Sequence, residues 1–156
     1  MGIMSGSCTI QIELHDGPLP PGFQPDIAAG TGGRCTFLGI TRPETHPDRG
    51  PLEALHYEAH DAMARQAMED LAVEASRRWP LRSVTLHHAR GRVPIGETSV
   101  LIAVAAGHRD EAFAACRWLI DSLKTSVPIW KQERWTEGSS WSTGVPLVPE
   151  SAEASS

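Results

Sequence analysis

The chain has 156 residues, 40% of them hydrophobic and 21% charged, which suffices for one ordinary core without disulfide staples and excludes a wholly disordered polymer. A formal net charge of −5 and a pI near 5.8 exclude a general nucleic-acid-binding face. No apolar run reaches the roughly 20 residues needed to span a bilayer, and Met1 to Ser7 lacks a basic-then-apolar secretory pattern, so a cytoplasmic protein is expected.

Cys8 to Leu14 alternates apolar and polar residues and predicts an opening strand. The stretch from there to Gly33 carries Pro18, Pro20, Pro21 and Pro25, which predicts a loop with one short helical turn near Asp26 to Ala29. Arg34 to Thr41 predicts a second strand, the polar Arg42 to Gly50 a surface loop, and Leu52 to His60 a third strand. Asp61 is the expected N-cap of a helix that reaches Trp79 and ends at Pro80, with Ala64, Met68, Leu71 and Ala75 as its buried stripe. Ser83 to His88 and Thr98 to Ala106 predict two more strands. A second helix is predicted from Asp110 to Lys124, with Phe113, Cys116, Ile120 and Leu123 facing inward. Val127-Pro128 breaks it, and Ile129 to Trp135 predicts the final strand. The domain is expected to span residues 1–141, with a Pro-, Ser- and Glu-rich disordered tail over 142–156. Helices and strands mix without strict βαβ alternation, the pattern of an α+β fold.

Little of the sequence carries chemistry unaided. Cys8, Cys35 and Cys116 form no close pair and no metal spacing; Cys35 and Cys116 read as small core hydrophobes. Gly30 to Gly33 (GTGG) precedes a strand, whereas a phosphate-cradling loop must open a helix, so it reads as a turn. His56 and His60 would stand about 13 Å apart along a strand, and His87 and His88, near a strand end, point to opposite faces, so neither pair makes a metal site. No metal and no cofactor are expected.

Gly107-His108-Arg109-Asp110 is more informative, because a strand there hands over to a helix whose first amides and positive end face outward. His108 and Arg109 add donors suited to an oxyanion, and Arg42, ending another strand, is a candidate to converge on the same point. An alternative is that these are solvated loop residues with Asp110 as the cap. Of the 14 basic residues, twelve are arginine and only Lys124 and Lys131 are lysine. Lys124 falls on the flank of the helical apolar stripe, although a last-turn lysine also simply complements the helix dipole. Lys131 and Glu133 share one face of the final strand, opposite Trp130 and Gln132.

Taken together, the segments Thr36-Phe37-Leu38-Gly39 to Arg42, Leu55 to Met63, Ile95-Gly96-Glu97, Ala105 to Phe113 and Asp121 to Glu133, closed by Gly138-x-x-Trp141, resemble the large, catalytic subunit of molybdopterin synthase. The Lys-x-x-x-x-Pro-x-Trp-Lys segment is the specific part, and the resemblance runs from about Cys8 to Trp141. It implies an α+β fold of the α/β-hammerhead type, with a mixed or antiparallel sheet and two main helices. It also implies a homodimer core in a heterotetramer with two small, ubiquitin-like sulfur-carrier subunits ending in a Gly-Gly thiocarboxylate. The implied reaction moves two sulfurs onto cyclic pyranopterin monophosphate to give molybdopterin, in molybdenum cofactor biosynthesis. Carried over residue by residue, Arg42, His108 and Arg109 hold anionic groups of the substrate, Lys124 and Lys131 line the reaction site as its catalytic pair, and Gln132 and Glu133 lie beside the pterin. Ile40, Ala89 and Ser140 depart from the family's pattern, standing where relatives often carry basic residues, which leaves open whether substrate contacts differ at those positions. Loss of either lysine would have marked an idle scaffold; both are present. A phosphate-ester enzyme built on His108 and Arg109 is the remaining alternative class.

Overall fold

The computed structural model describes residues 2–142. Its elements run β1 (Gly2–Ser5), β2 (Cys8–Asp16), β3 (Gly33–Ile40), β4 (Thr45–His46), β5 (Gly50–Ala59), α1 (Asp61–Arg78), β6 (Leu81–Pro94), β7 (Thr98–Ala106), α2 (Arg109–Ser126), β8 (Ile129–Trp135) and β9 (Gly138–Trp141). The expected α+β fold, with two helices and a mixed sheet, is what these elements form. Only β2 and β6 run parallel; every other pairing is antiparallel.

β6 joins two wings of the sheet. Its first half lies between β2 and β7, with β1 and β3 beyond them; its second half, past Gly91, pairs with β5, which continues to β8 and β9. Gly91 has φ of 86°, a conformation that disfavours any side chain bearing Cβ, and it lets the long strand turn from one wing into the other. Both helices cover one face of the first wing. Ile10, Met68, Leu86, Ile102 and Leu119 are fully buried between them, each contributing about 1.5–3 kcal/mol through removal from water. β7 is buried on both faces, because Leu19 packs on Leu101 and Ala103 from the outer side; its unbroken apolar run follows from that.

Several expectations need correction. Asp61 does not cap α1: the His60 side chain accepts the Met63 amide, Nδ1 to N 3.3 Å, while the Asp61 carboxylate is drawn to Arg90, which also binds Asp16 at 2.5 Å. His60 has thereby left β5, so it shares no strand face with His56. Ala72 is buried in the α1 stripe, and Leu71 is only half-buried beside it. Phe113 is 61% exposed and does not face inward; Ala112 and Ala115 take the interior of that turn. No helical turn forms at 26–29, where the only regular bonds are the Thr31 amide and hydroxyl donating to the Ala28 carbonyl. The His87-His88 pair lies well inside β6, not near its end, and both side chains are buried. The short strands β1, β4 and β9 carry too little periodicity to be read in advance. Of the expected tail, 143–156 lies outside the described residues, and Ser142 donates its amide to the Lys131 carbonyl at 2.8 Å.

Candidate active site

Pro128 ends α2, and the connection to β8 is short: the Val127 amide still donates to Leu123, and the Ile129 amide donates to Val127. This reversal carries Lys131 back toward Lys124. Both lysines line one cavity of about 330 Å³, set where α2 and the two wings of the sheet meet. Its walls are Phe37, Gly39 and Ile40 of β3, Leu55 and Tyr57 of β5, His88 of β6, Ser99 and Val100 of β7, Ile120 and Leu123 of α2, and Ile129, with Ser142 completing the rim. The register explains the assembly, since Tyr57 stands directly opposite Lys131 across the β5–β8 ladder.

No carboxylate lines the cavity among the described residues. Two ammonium groups set in an apolar wall favour an anionic occupant, and the low polarity of the walls strengthens that attraction once water is displaced. Lys124 is exposed in this subunit, contrary to the partial burial its stripe position suggests, and Lys131 is half-buried. Desolvation of Lys124 therefore has to come from whatever fills the cavity.

The floor is neutral. Burial pushes the His88 pKa down to about 4 against the weaker opposing pull of the Ala89 carbonyl, which lies 2.7 Å from Nδ1. Burial raises the Tyr57 phenol, offset in part by Ser99, and the Tyr57 ring meets His88 edge-on with centroids 4.9 Å apart. Neither residue was picked out from the sequence as a site residue. The signal available was the shared alternation of Leu55 and Tyr57, which cannot be tied to Lys131 without the β5–β8 register.

The remaining expected residues lie elsewhere in this chain. Arg42 follows β3 near the cavity's edge, exposed and paired with Glu44 at 2.6 Å. His108 and Arg109 are exposed at the start of α2; His108 occupies the N-cap position without a side-chain cap bond, so Asp110 is not the cap. Gly33 pairs with Ala106 at one end of the β3–β7 ladder and Ile40 with Thr98 at the other, which separates Arg42 from the His108-Arg109 turn by about 23 Å of strand. They do not converge within one chain. Gln132 faces away from the cavity, donating to Ser139 at 3.4 Å and accepting from Arg134 at 3.1 Å. Glu133 is on the Lys131 face but does not line the cavity, and its carboxylate accepts from the Ser140 hydroxyl at 3.4 Å.

The glycine-rich turn is structural. A Cβ on Gly32 would sit 2.0 Å from the Gly107 carbonyl oxygen, so GTGG serves close packing against the β7–α2 junction. Burial first, then the neighbouring Cys35, pushes the Cys116 thiol up to about 12, which suits core packing and not nucleophilic work. No helix is long and apolar enough to cross a membrane, and no group of His, Cys, Asp and Glu forms a metal site, among the described residues.

A paired-lysine, carboxylate-free cavity in an α+β fold with a mixed sheet defines a protein whose pocket suits an anionic ligand. Residues 23–126 match the family model described as MoaE protein. The chain is 41% identical to the molybdopterin synthase catalytic subunit of Nostoc sp. over 72% of this chain and 67% of that protein. It is 41% identical to that of Pyrococcus abyssi over 78% of this chain and 81% of the relative. The crystal structure of molybdopterin synthase from Staphylococcus aureus superposes with a TM-score of 0.73 at 31% identity, covering 85% of this chain and 95% of that one. The chain belongs to the MoaE family of molybdopterin synthase catalytic subunits.

Proposed function

We propose that this chain converts cyclic pyranopterin monophosphate to molybdopterin, taking two sulfurs from the thiocarboxylated Gly-Gly terminus of a small ubiquitin-like carrier. The observation that supports it most directly is the convergence of the chain's two lysines on one apolar cavity. A thiocarboxylate and a cyclic phosphate bring negative charge together there, and two ammonium groups stabilise it as sulfur attacks. A lysine desolvated by the incoming tail can also move a proton during ring opening. A glycine tail suits the walls, because it carries no side chain past Phe37 and Ile40.

The separation of Arg42 from His108 and Arg109 fits a homodimer. Among the described residues β3 pairs only with β7, which leaves its other edge without a strand there, and Phe37, Leu38 and Ile40 are exposed along it. Two copies of β3 joined antiparallel about a two-fold axis would set Gly33 of one against Ile40 of the other. Arg42 of each copy would then lie beside the other copy's α2 N-terminus, where Gly33 sits against Arg109. On this reading the substrate's anionic groups are held by Arg42 from one subunit and by the His108-Arg109 turn from the second. Glu133, on the Lys131 face of β8, flanks the pterin beyond the cavity rim; Gln132, expected beside it, is turned to the other face, where it bonds Ser139 and Arg134. The working assembly is a heterotetramer, one carrier on each subunit of the dimer, in the cytoplasm.

Incubating the protein with thiocarboxylated carrier and the pterin precursor should give a singly and then a doubly thiolated product by mass spectrometry. A precursor left unthiolated would overturn the assignment. Hydrolysis of a simple phosphate ester in its place would favour an enzyme built on His108 and Arg109.

A further inference from the structure

Few side chains lining the cavity proposed for the carrier's tail are acceptors alone. Lys124 and Lys131 can only donate, and the aliphatic walls can do neither. An extended peptide entering such a space brings backbone N–H groups that lose their water, and each one left unpaired weakens binding. Among the lining side chains the hydroxyls of Tyr57, Ser99 and Ser142 can donate as well as accept, and Ser99 spends its proton on the Gly39 carbonyl at 3.3 Å while its lone pairs stay available.

His88 differs from these. Its Nδ1 lies 2.7 Å from the Ala89 carbonyl oxygen, a partner that can only accept, so Nδ1 carries the proton. In the neutral ring this leaves Nε2 as a bare lone pair. No group among the described residues donates to it, and the side chain lines the cavity in which both lysines sit. The edge-on contact with Tyr57 fixes the ring plane, and burial keeps the ring neutral through the physiological range, so the acceptor is permanent. Its neighbour His87, on the opposite face of the sheet, has no such role; it stacks against Phe23 at 4.8 Å and lies 3.6 Å from Glu13.

We propose that His88 is a carrier-binding residue whose Nε2 accepts a hydrogen bond from the amide N–H joining the last two glycines of the carrier tail. This rests on the sulfur-carrier reading above and adds to it a contact that sets how deep the tail enters. With the cationic groups holding the terminal anion and His88 the amide before it, the reacting sulfur is fixed at two points.

The test uses the carrier that supports sulfur transfer in the assay above, prepared also with its final Gly–Gly amide replaced by an ester, which removes one N–H. The ester should bind the parent protein about tenfold more weakly than the amide, the scale of one buried hydrogen bond. His88→Leu should weaken the amide carrier by a similar factor, leave precursor affinity unchanged, and show no further loss with the ester. Tyr57→Phe should retain the full ester penalty. In the unmutated protein, the nitrogen-15 resonance of His88 Nε2 should shift on binding the amide carrier and stay in place with the ester, which serves should His88→Leu fail to fold. Equal affinities of ester and amide for the parent, or additive losses in the cycle, would overturn the proposal. So would a loss confined to precursor binding, which would assign Nε2 to the pterin. Absence of sulfur transfer with any carrier would instead remove the functional reading itself.

Discussion

The two ends of α2 both present cations, and they do so in opposite settings. At the N-terminus His108 and Arg109 stand in solvent beside the positive end of the helix, where backbone amides and guanidinium reinforce one another for an anion. At the C-terminus Lys124 complements the negative helix end and overlooks a cavity walled by Ile120, Leu123, Ile129 and β3. Roughly 22 Å of helix separates the two. On the proposed reading the first end holds charge and the second acts on it, because the second adjoins a cavity with apolar walls that can exclude water. On the same reading a single chain carries half of each of two sites, and pairing of the β3 edges would make them whole.

The largest effect that tests the apolar end concerns its floor. His88 has a folded pKa of about 4 against an ordinary value of 6.5, so between those limits the unfolded chain binds more protons than the folded one. The stability tied to the neutral ring is fully present above pH 6.5 and falls as pH drops toward 4, by up to about 3 kcal/mol. His87 is shifted in the same direction by burial, against the pull of Glu13. Urea midpoints measured from pH 7 to 4.5 should show the decline, and His88→Gln should flatten it. An unchanged slope in that variant would mean that His88 does not titrate from a buried neutral state.

Lys124→Arg tests whether the same end needs a transferable proton. Arginine keeps the charge but does not give up its proton, and its planar fork fills a different volume. Dithiolene formation should fall about a hundredfold while the variant still binds its carrier. Near-normal turnover would leave Lys124 a dipole-complementing charge and Lys131 the only candidate. At the solvent end, Arg109→Ala should weaken precursor binding roughly ten- to a hundredfold by titration and leave carrier affinity alone. An equal loss for carrier and precursor would place Arg109 in the wrong half of the comparison.

The contrast between the ends was only partly legible beforehand. Period-3.6 and period-2 patterning located both helices and the six longer strands, because each buries a continuous face. The Lys124 to Lys131 spacing across Pro128 carried the cavity's cations. Three things were not legible. Phe113 lies beside Ile120 by angle yet is 61% exposed, because the buried arc of α2 is centred on Ala112, Cys116, Leu119 and Leu123 and Phe113 falls past its flank. His60 replaced Asp61 as the cap because Arg90, from a strand 29 residues later, competes for the carboxylate. Tyr57 and His88 joined Lys131 through the β5–β8 ladder and the ring contact across β5 and β6, tertiary facts that no local pattern encodes.

The smallest effect separates chemistry from fold at Lys124 itself. Its side chain is exposed, and no hydrogen bond or ion pair to it is found among the described residues, so its structural work is limited to the helix dipole. That contribution is about 0.3–1 kcal/mol at a surface helix end. Lys124→Gln removes the charge while keeping a long, helix-compatible side chain, so its melting temperature should fall by only ~1–4 °C for a chain of this size. Activity in the same variant should be lost on the scale expected for Lys124→Arg or beyond, because both charge and proton are gone. Calorimetry and turnover on one preparation decide the matter. A melting temperature lowered by ten degrees or so would make the loss of activity a consequence of unfolding, and the two ends of α2 would then differ in exposure alone.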